Sequence, residues 1–518
     1  MISKGLPFLV LLLLAATPLW AQKIDPELLK EFTIVQRDGR PVVQIGLQSI
    51  LKLALVRAPQ LEISRNRRQS AAQAYRAAQA MEPLTWNNQV AQSRSTSPSS
   101  YLTGGSSTAY MNLTSTQQRL LQSGLSQKLK NGISYGLSYQ RATSTTGLAS
   151  IESQGDQVGT FTDLSDPVYA DGLVLSVNVP LFQDLGEVNR VSQQRSGVAA
   201  AQAEINDAQT RRDLLGQVAS VYWDLVGITE NIQALAESEK LASQFVQDNR
   251  VRLSLGALDP TEVKLAEAQL AMAQKNLLAA QIDKKAIEDQ IRIILGMGRI
   301  PMEYEPTEKL GQRPALATSE AAFKRILARD PGIKRLEQQL KASRLDVLVA
   351  QNKTDTNLDL NLEYRMDGYG YDQSTASSSL GDSGLTGYQV GLTWSVPLFD
   401  RKSSAALHRA RIEKENLAVQ IADARNQLEV TYGSLLRALD LSNQSIALAQ
   451  VSLDLNRQLL VKENQKFRLG KSTSYRVSQI RSDMLDAELA LTIAKIGLEK
   501  THLQLMLLTG EFERYYEL

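Results

Sequence analysis

Imidazole, thiol and paired carboxylate carry most covalent and acid–base chemistry in proteins, and this chain offers them few places. It has two histidines, His408 and His502, far apart in sequence and each within a stretch of helical periodicity. A general base or a metal site needs convergent partners, and none is visible in the sequence around either ring, so packed or solvated helix positions account for both. Cysteine is absent, which excludes disulfides, thiol catalysis and thiolate metal sites. Gly368-Tyr-Gly-Tyr371 reads as a strand end or loop and not as a phosphate cradle opening a helix. No catalytic residue, no metal and no cofactor is expected.

What remains is the chemistry of contact, and it concentrates in two short segments. Arg252-Leu-Ser-Leu-Gly256 and Lys466-Phe-Arg-Leu-Gly470 stand 214 residues apart, each closing a long helical stretch. Gly256 and Gly470 can take the left-handed conformation that ends a helix. After the first glycine, Asp259 can cap the next helix, Pro260 suits its first position and Glu262 can complete a capping box. The second turn is built from Gly470, Lys471, Ser472, Thr473 and Ser474. Asp259 and Glu262 read as caps before they read as gate charges. Arg252, Leu253, Arg468, Leu469 and Ser472 are the candidates for contact with a partner at an exposed tip.

The elements that position these tips are long. Val218, Val221, Leu225, Ile228, Ile232, Leu235, Ala242, Val246 and Leu253 follow 3-4 spacing, broken only at Glu239 and Asn249, and Val263 to Ile294 continues it with Lys284 out of pattern. Val477, Ile480, Met484, Ala487, Leu491, Ala494, Leu498 and Leu505 repeat it in the second half. Sustained 3-4 spacing specifies packed, coiled-coil-like helices. No proline lies between Glu187 and Leu255, so one helix there can reach on the order of 100 Å at 1.5 Å per residue. Shorter helices are expected over 46–81 and 319–352, broken at Ala58-Pro59 and Asp330-Pro331.

Between the helices the periodicity switches to two. Leu358, Leu360, Leu362 and Tyr364 alternate with polar residues, as do Tyr388, Val390, Leu392, Trp394 and Val396. In the first half the same holds for Ile133 to Tyr139 and Leu173 to Val179, which ends in Val-Pro-Leu-Phe182 as the second-half strand ends in Val-Pro-Leu-Phe399. Stretches 95–118, 142–170 and 371–386 are rich in Ser, Thr and Gly and read as long solvated loops. Alternation alone fits a half-buried soluble sheet or a lipid-facing barrel. A lone cation Lys4, an apolar run from Leu6 to Ala16 and a small residue at Ala21 read as an export signal, and Tyr and Trp on the apolar faces favour the barrel, with Leu358, Leu360, Leu362, Tyr388, Val390, Leu392 and Trp394 toward lipid. The near balance of 57 Lys and Arg with 55 Asp and Glu gives no field for nucleic acid. A sheet in lipid must close, which takes about 8 strands. Two strands in the second half and two to four in the first do not suffice, so several copies would share one barrel.

The order helix, strands, helix, helix, stated twice with Val-Pro-Leu-Phe ends and the paired tips ending at Gly256 and Gly470, resembles the TolC-type outer-membrane efflux family over about residues 44–510. The resemblance implies a mixed α and β membrane protein. It would be a homotrimeric channel-tunnel with a shared transmembrane β-barrel of four strands per chain and a long periplasmic α-helical barrel, made from two internal repeats. It implies an outer-membrane exit duct opened at its periplasmic tip by an adaptor and an inner-membrane transporter. Two departures stand out. Residues 83–182 are long enough for an extra hairpin around Lys130-Asn-Gly132, and the positions where the best-known member carries pore-constricting aspartates hold Arg476 and Gln479. The expected division is a signal peptide over 1–21, an N-terminal arm over 22–44, repeat 1 over 45–296, a linker over 297–318, repeat 2 over 319–510 and a tail. A stand-alone porin and a periplasmic coiled-coil scaffold are the alternatives.

Overall fold

The computed structural model describes residues 33–37, 40–80, 82–103, 109–152, 162–163, 166–256, 258–298, 303–311, 320–382 and 384–518. The expected signal peptide, 1–21, and the start of the N-terminal arm lie outside the described residues. The chain divides into two compact units, one from residues 1–70, 201–337 and 419–518, the other from 71–200 and 338–418. Among the described residues no helix is long and apolar enough to cross a membrane.

The second unit holds an antiparallel meander of six strands: β3 (Thr85–Thr103), β4 (Ala109–Lys128), β5 (Ser134–Glu152), β7 (Val168–Pro180), β9 (Asn357–Gly370) and β10 (Thr386–Ser395). A two-residue strand, β6 (Thr162–Asp163), pairs with β5 beside β7. The register places Leu125, Leu137, Leu175, Tyr364 and Tyr388 in one cross-strand row, and Tyr135, Val177, Leu362 and Val390 in the next. The opposite face carries Ser126, Gly136, Ser176, Glu363 and Gln389. Period-two alternation thus makes one apolar and one wet face across five consecutive strands.

Two sequence expectations are corrected here. Residues 95–103, 109–118, 142–152 and 168–170, read as solvated loop, are the far ends of β3, β4, β5 and β7. Past the apolar band Gln92, Arg94, Gln117, Arg119, Thr143 and Thr145 make both faces polar, so the alternation that marks a strand fades while Thr and Ser still suit the pleat. The stretch 371–386 is also not all loop. A short helix, α7 (Gln373–Ser378), follows Gly368-Tyr-Gly-Tyr371, with Asp372 accepting from the Thr375 N–H. It covers an ion pair at the edge of the apolar band: Arg141 donates to Asp171 at 2.6 Å, and Ser377 donates to Asp171 at 2.9 Å. A Cβ at Gly368 would lie 2.2 Å from the Ala376 carbonyl oxygen, so glycine permits this close approach.

The helices are α1 (Leu47–Arg57), α2 (Pro59–Gln79), α3 (Val191–Ser254), α4 (Pro260–Ile294), α5 (Glu320–Arg329), α6 (Pro331–Asn352), α8 (Arg401–Arg468), α9 (Ser474–Thr509) and α10 (Phe512–Tyr515). Proline opens α2, α4 and α6, where its missing N–H costs nothing. α3 and α8 run for 64 and 68 residues, with no proline or capping stop to end them earlier.

In the first unit, part of the expected N-terminal arm and the expected linker are structured together. Strands β1 (Thr33–Arg37) and β2 (Arg40–Ile45) form a hairpin, and β8 (Glu303–Pro306) pairs parallel with β2. Val43, Ile45 and Tyr304 are thereby delivered to the main core with Leu47, Ile50 and Leu51 of α1, Leu214 to Val226 of α3 and Met506 of α9. The buried Tyr222 hydroxyl donates to the Ile45 carbonyl at 3.2 Å and to Glu308, whose other oxygen accepts from the Leu47 N–H at 2.8 Å. Glu308 therefore caps α1 from a distance in sequence, since Gly46 has no side chain to do so.

Candidate functional site: the paired helical tips

The two reversals sit in the first unit. Gly256 and Gly470 have φ of 72° and 71°, and no atom lies within 4 Å of an added Cβ at either. The constraint is backbone conformation alone. Gly470→Val should cost about 1–2 kcal/mol for a left-handed β-branched residue, read as a lowered unfolding midpoint with a frayed tip by hydrogen exchange. An unchanged midpoint and unchanged exchange would contradict the assignment.

Asp259 is the N-cap of α4, accepting from the Thr261 N–H at 2.7 Å, and Pro260 takes the first position. The capping box is not closed: Glu262 Oε2 is buried without a partner among the described residues. Thr473 caps α9, accepting from the Arg476 N–H at 3.3 Å. Ser472 donates to Glu463 at 2.6 Å.

The hydrogen bond from Thr261 holds the Asp259 carboxyl below its usual range, and the Ser472 hydroxyl does the same for Glu463. For a carboxyl so lowered, the stabilisation is complete above the unfolded value, about 4, and is lost as pH falls through the folded value. Exchange protection at both turns, corrected for intrinsic rate, should hold from pH 7 to about 4 and decline below it. A decline already complete at pH 6 would overturn this.

Between the reversals lies a clasp that the sequence reading missed. Phe245 and Val246 of α3, Ala266 of α4, Phe467 of α8 and Val477 of α9 form a buried cluster. The Phe245 and Phe467 ring centroids are 5.5 Å apart. Asn249, noted only as a heptad break, is fully buried and donates to Ser474 at 3.1 Å. Arg481 donates to the Leu241 carbonyl at 3.2 Å and lies 5.1 Å over the Phe245 ring; burial pulls its guanidinium below the usual arginine range.

Arg252, a candidate for contact with a partner, belongs to the same clasp and so has a packing role within the chain. Its guanidinium stacks 4.6 Å over the Phe467 ring and donates to the Phe467 carbonyl at 3.4 Å. Leu253 is half-buried, whereas Arg468 is exposed. Leu469 and its counterpart Leu255, which the sequence reading did not single out, are 72% and 76% exposed, so each reversal presents one bare leucine beside its glycine. Arg476 and Gln479 are exposed on the first turns of α9, with Gln479 donating to Asp483 at 3.0 Å.

The expected lipid-facing residues fall on one face of the β9–β10 ladder, with Leu358, Leu360 and Leu362 opposite Trp394, Leu392 and Val390. Trp394, Val390 and Tyr388 are 70%, 65% and 84% exposed, an apolar surface that water does not favour. His408 is exposed on α8 and His502 buried on α9. Among the described residues no cluster of three or more His, Asp or Glu could hold a metal.

An exposed apolar band on an antiparallel sheet, with two long helical hairpins clasped near their reversals, is the build of an outer-membrane channel with periplasmic helices. The chain belongs to the outer membrane efflux protein family, which matches residues 132–297 and 322–511. It is 26% identical over 322 residues to outer membrane efflux protein BepC of Brucella suis biovar 1 (strain 1330), covering 58% of this chain and 65% of that relative. The aligned parts span between 52% and 65% of the curated relatives matched. Among solved structures, the outer-membrane channel OprN superposes with a TM-score of 0.65 at 15% identity, covering 90% of this chain and 89% of that one. The outer membrane protein VceC from Vibrio cholerae gives 0.61 at 16%, covering 90% and 96%. The chain is thus a TolC-like efflux protein of the outer membrane, in a family of transport channels and not of enzymes.

Proposed function

We propose that three copies share one β-barrel and one helical tunnel, forming a passive exit duct for cargo that an energised inner-membrane transporter delivers through a periplasmic adaptor. The observation that carries this reading is an apolar stripe on α8 with nothing against it among the described residues. Val430, Leu441, Leu448 and Leu455 are 67%, 62%, 72% and 55% exposed. Their spacings of 11, 7 and 7 residues correspond to whole numbers of helical turns, so they share one face. Leu278, Ile282 and Ile293 make a second exposed row on α4, at 58%, 61% and 74%. A helix apolar toward solvent needs a partner, and identical copies supply both faces at once. The wet face of the sheet would line the lumen, and opening would be a rearrangement of the hairpins biased by adaptor binding.

Native mass of the purified protein in mild detergent tests the copy number, and three copies are expected. A strain lacking the gene should accumulate pump cargo, and restoring the gene should reverse this only while the adaptor and transporter genes are present. Restoration without them would favour a stand-alone porin. Arg468, Leu469 and Leu255 are the exposed tip residues assigned to the adaptor. Arg468→Glu should reduce adaptor cross-linking by about tenfold, the loss of roughly one charge contact, without changing native mass. Unchanged cross-linking would reject that assignment.

A further inference from the structure

Among the described residues the sheet is a meander of six strands with two edges, the short β6 lying off that path. β3 pairs with β4 alone and β10 with β9 alone. Edge strands that face water are protected by charge, proline or irregularity, and these two lack such protection where it would matter. Residues 85–93 of β3 and 386–395 of β10 contain no Lys, Arg, Asp, Glu or Pro. The only irregularity in the β3–β4 ladder falls at Pro98 and Ser100, beyond that stretch. Both edges carry the two-faced pattern, with Trp86 and Val90 on the apolar side of β3, 68% and 80% exposed, and Tyr388, Val390, Leu392 and Trp394 on that of β10.

The strands β4 and β5 are full members of this wall and not an appendage of its far end. Their turn is seated at the end where the chain leaves the sheet for α3. Gly186 donates to the Asn131 carbonyl at 3.2 Å, Lys130 to the Gln79 carbonyl at 2.6 Å and Gln127 to the Glu82 carbonyl at 2.7 Å. Gly132, at φ 99°, fits so closely that a Cβ would lie 2.3 Å from the Asp184 carbonyl oxygen. β5 then pairs with β7 without a break from Ser134 opposite Asn178 to Ser144 opposite Val168. That ladder spans the whole apolar band.

We propose that each copy puts all six strands into the wall and that β10 of one copy zips onto β3 of the next, so that three copies close a barrel of eighteen strands. The occupant of each edge is a second copy of this chain, for three reasons. Six strands are fewer than the roughly 8 a membrane barrel needs. An even meander leaves β3 and β10 running in opposite directions, so their pairing across copies continues the antiparallel order. The facing edges also match apolar side to apolar side and wet side to wet side. The four strands per chain that the family resemblance implies would give twelve in all. With strands about 4.8 Å apart and tilted about 40°, twelve give a backbone cylinder about 24 Å across and eighteen about 36 Å. The duct through the outer membrane is wider by half, and its extra arc is β4 and β5, whose wet face carries Gln122, Ser126, Lys128, Ser138 and Gln140.

The inference rests on the three-copy reading above, and the test separates the two. The chain has no cysteine, so introduced pairs report cleanly. Asn87, Gln89 or Ala91 in β3 is changed to Cys together with Gln389, Gly391 or Thr393 in β10, nine combinations in the full-length protein in its native membrane. A disulfide needs Cα atoms within about 7 Å, so mild oxidation should shift at least one combination from the monomer band to dimer and trimer bands on a denaturing gel. The single variants should not form trimers. Strand-resolved electron cryomicroscopy in lipid nanodiscs should count eighteen strands. Three-fold particles with twelve strands, or β3–β10 disulfides within one chain only, overturn the inference and leave the trimer standing. A closed wall of six strands per copy in a ring of another number overturns the three-copy reading and the count of eighteen, but not the β3–β10 seam.

Discussion

Glu288→Ala is expected to destabilise the first unit by about 2–3 kcal/mol, the cost of leaving a buried backbone donor without its acceptor. The Glu288 side chain is fully buried on α4 and accepts from the Tyr304 N–H of β8 at 3.1 Å. Lys285 approaches it at 3.3 Å, and Lys284 and Arg292 each at 3.9 Å. Alanine leaves the buried Tyr304 N–H without its acceptor, while Lys285 keeps Glu303 at 2.8 Å and Arg292 keeps Asp289 at 2.5 Å. Glu288→Gln keeps an oxygen for Tyr304 and should lose clearly less. Denaturant unfolding of the purified protein, with exchange at β8 as a local readout, checks both. A loss under about 1 kcal/mol for the alanine variant would mean that solvent already screens the cluster.

The second large effect is expected on assembly. Leu441→Asp with Leu448→Asp places two carboxylates on the bare α8 stripe of every copy. In an isolated chain both sites are already exposed, 62% and 72%, so the fold of one copy should keep its unfolding midpoint within about 0.5 kcal/mol, as for ordinary surface changes. Buried against a neighbouring copy, each unpaired carboxylate costs several kcal/mol. Native mass should therefore fall from three copies to one, and export to the level of a strain without the gene. Asn443→Asp, exposed on the same helix but off the stripe, is the control and should leave both unchanged. A doubly substituted protein that stays trimeric would remove the stripe from the copy interface.

How much of this was legible in the sequence depends on where side-chain pattern and burial agree. The tip glycines were plain, because a left-handed residue ends the helix at Gly256 and Gly470 and each closes a five-residue segment that begins with a basic residue and ends in Leu-Gly. The strands β7, β9 and β10 were plain over their apolar band, where one face is apolar and the other wet. Their continuations, and much of β3 and β4, were not, because polarity on both faces erases a period of two. The pairing of β2 with β8 joins Val42 to Glu303, and no local pattern announces so distant a parallel partner. The packing of Arg252 is hidden from the sequence for a related reason: its partner Phe467 lies on another helix 215 residues away. The buried Asn249 left a trace as a break in the heptad, a signal that something polar stood opposite, without saying that it was Ser474.

The strands β3, β4 and β5 run for 19, 20 and 19 residues, about twice what a bilayer crossing takes. Since the apolar band lies at the helix-bearing end, the surplus stands outside the cell as a crown of serine, threonine and glutamine.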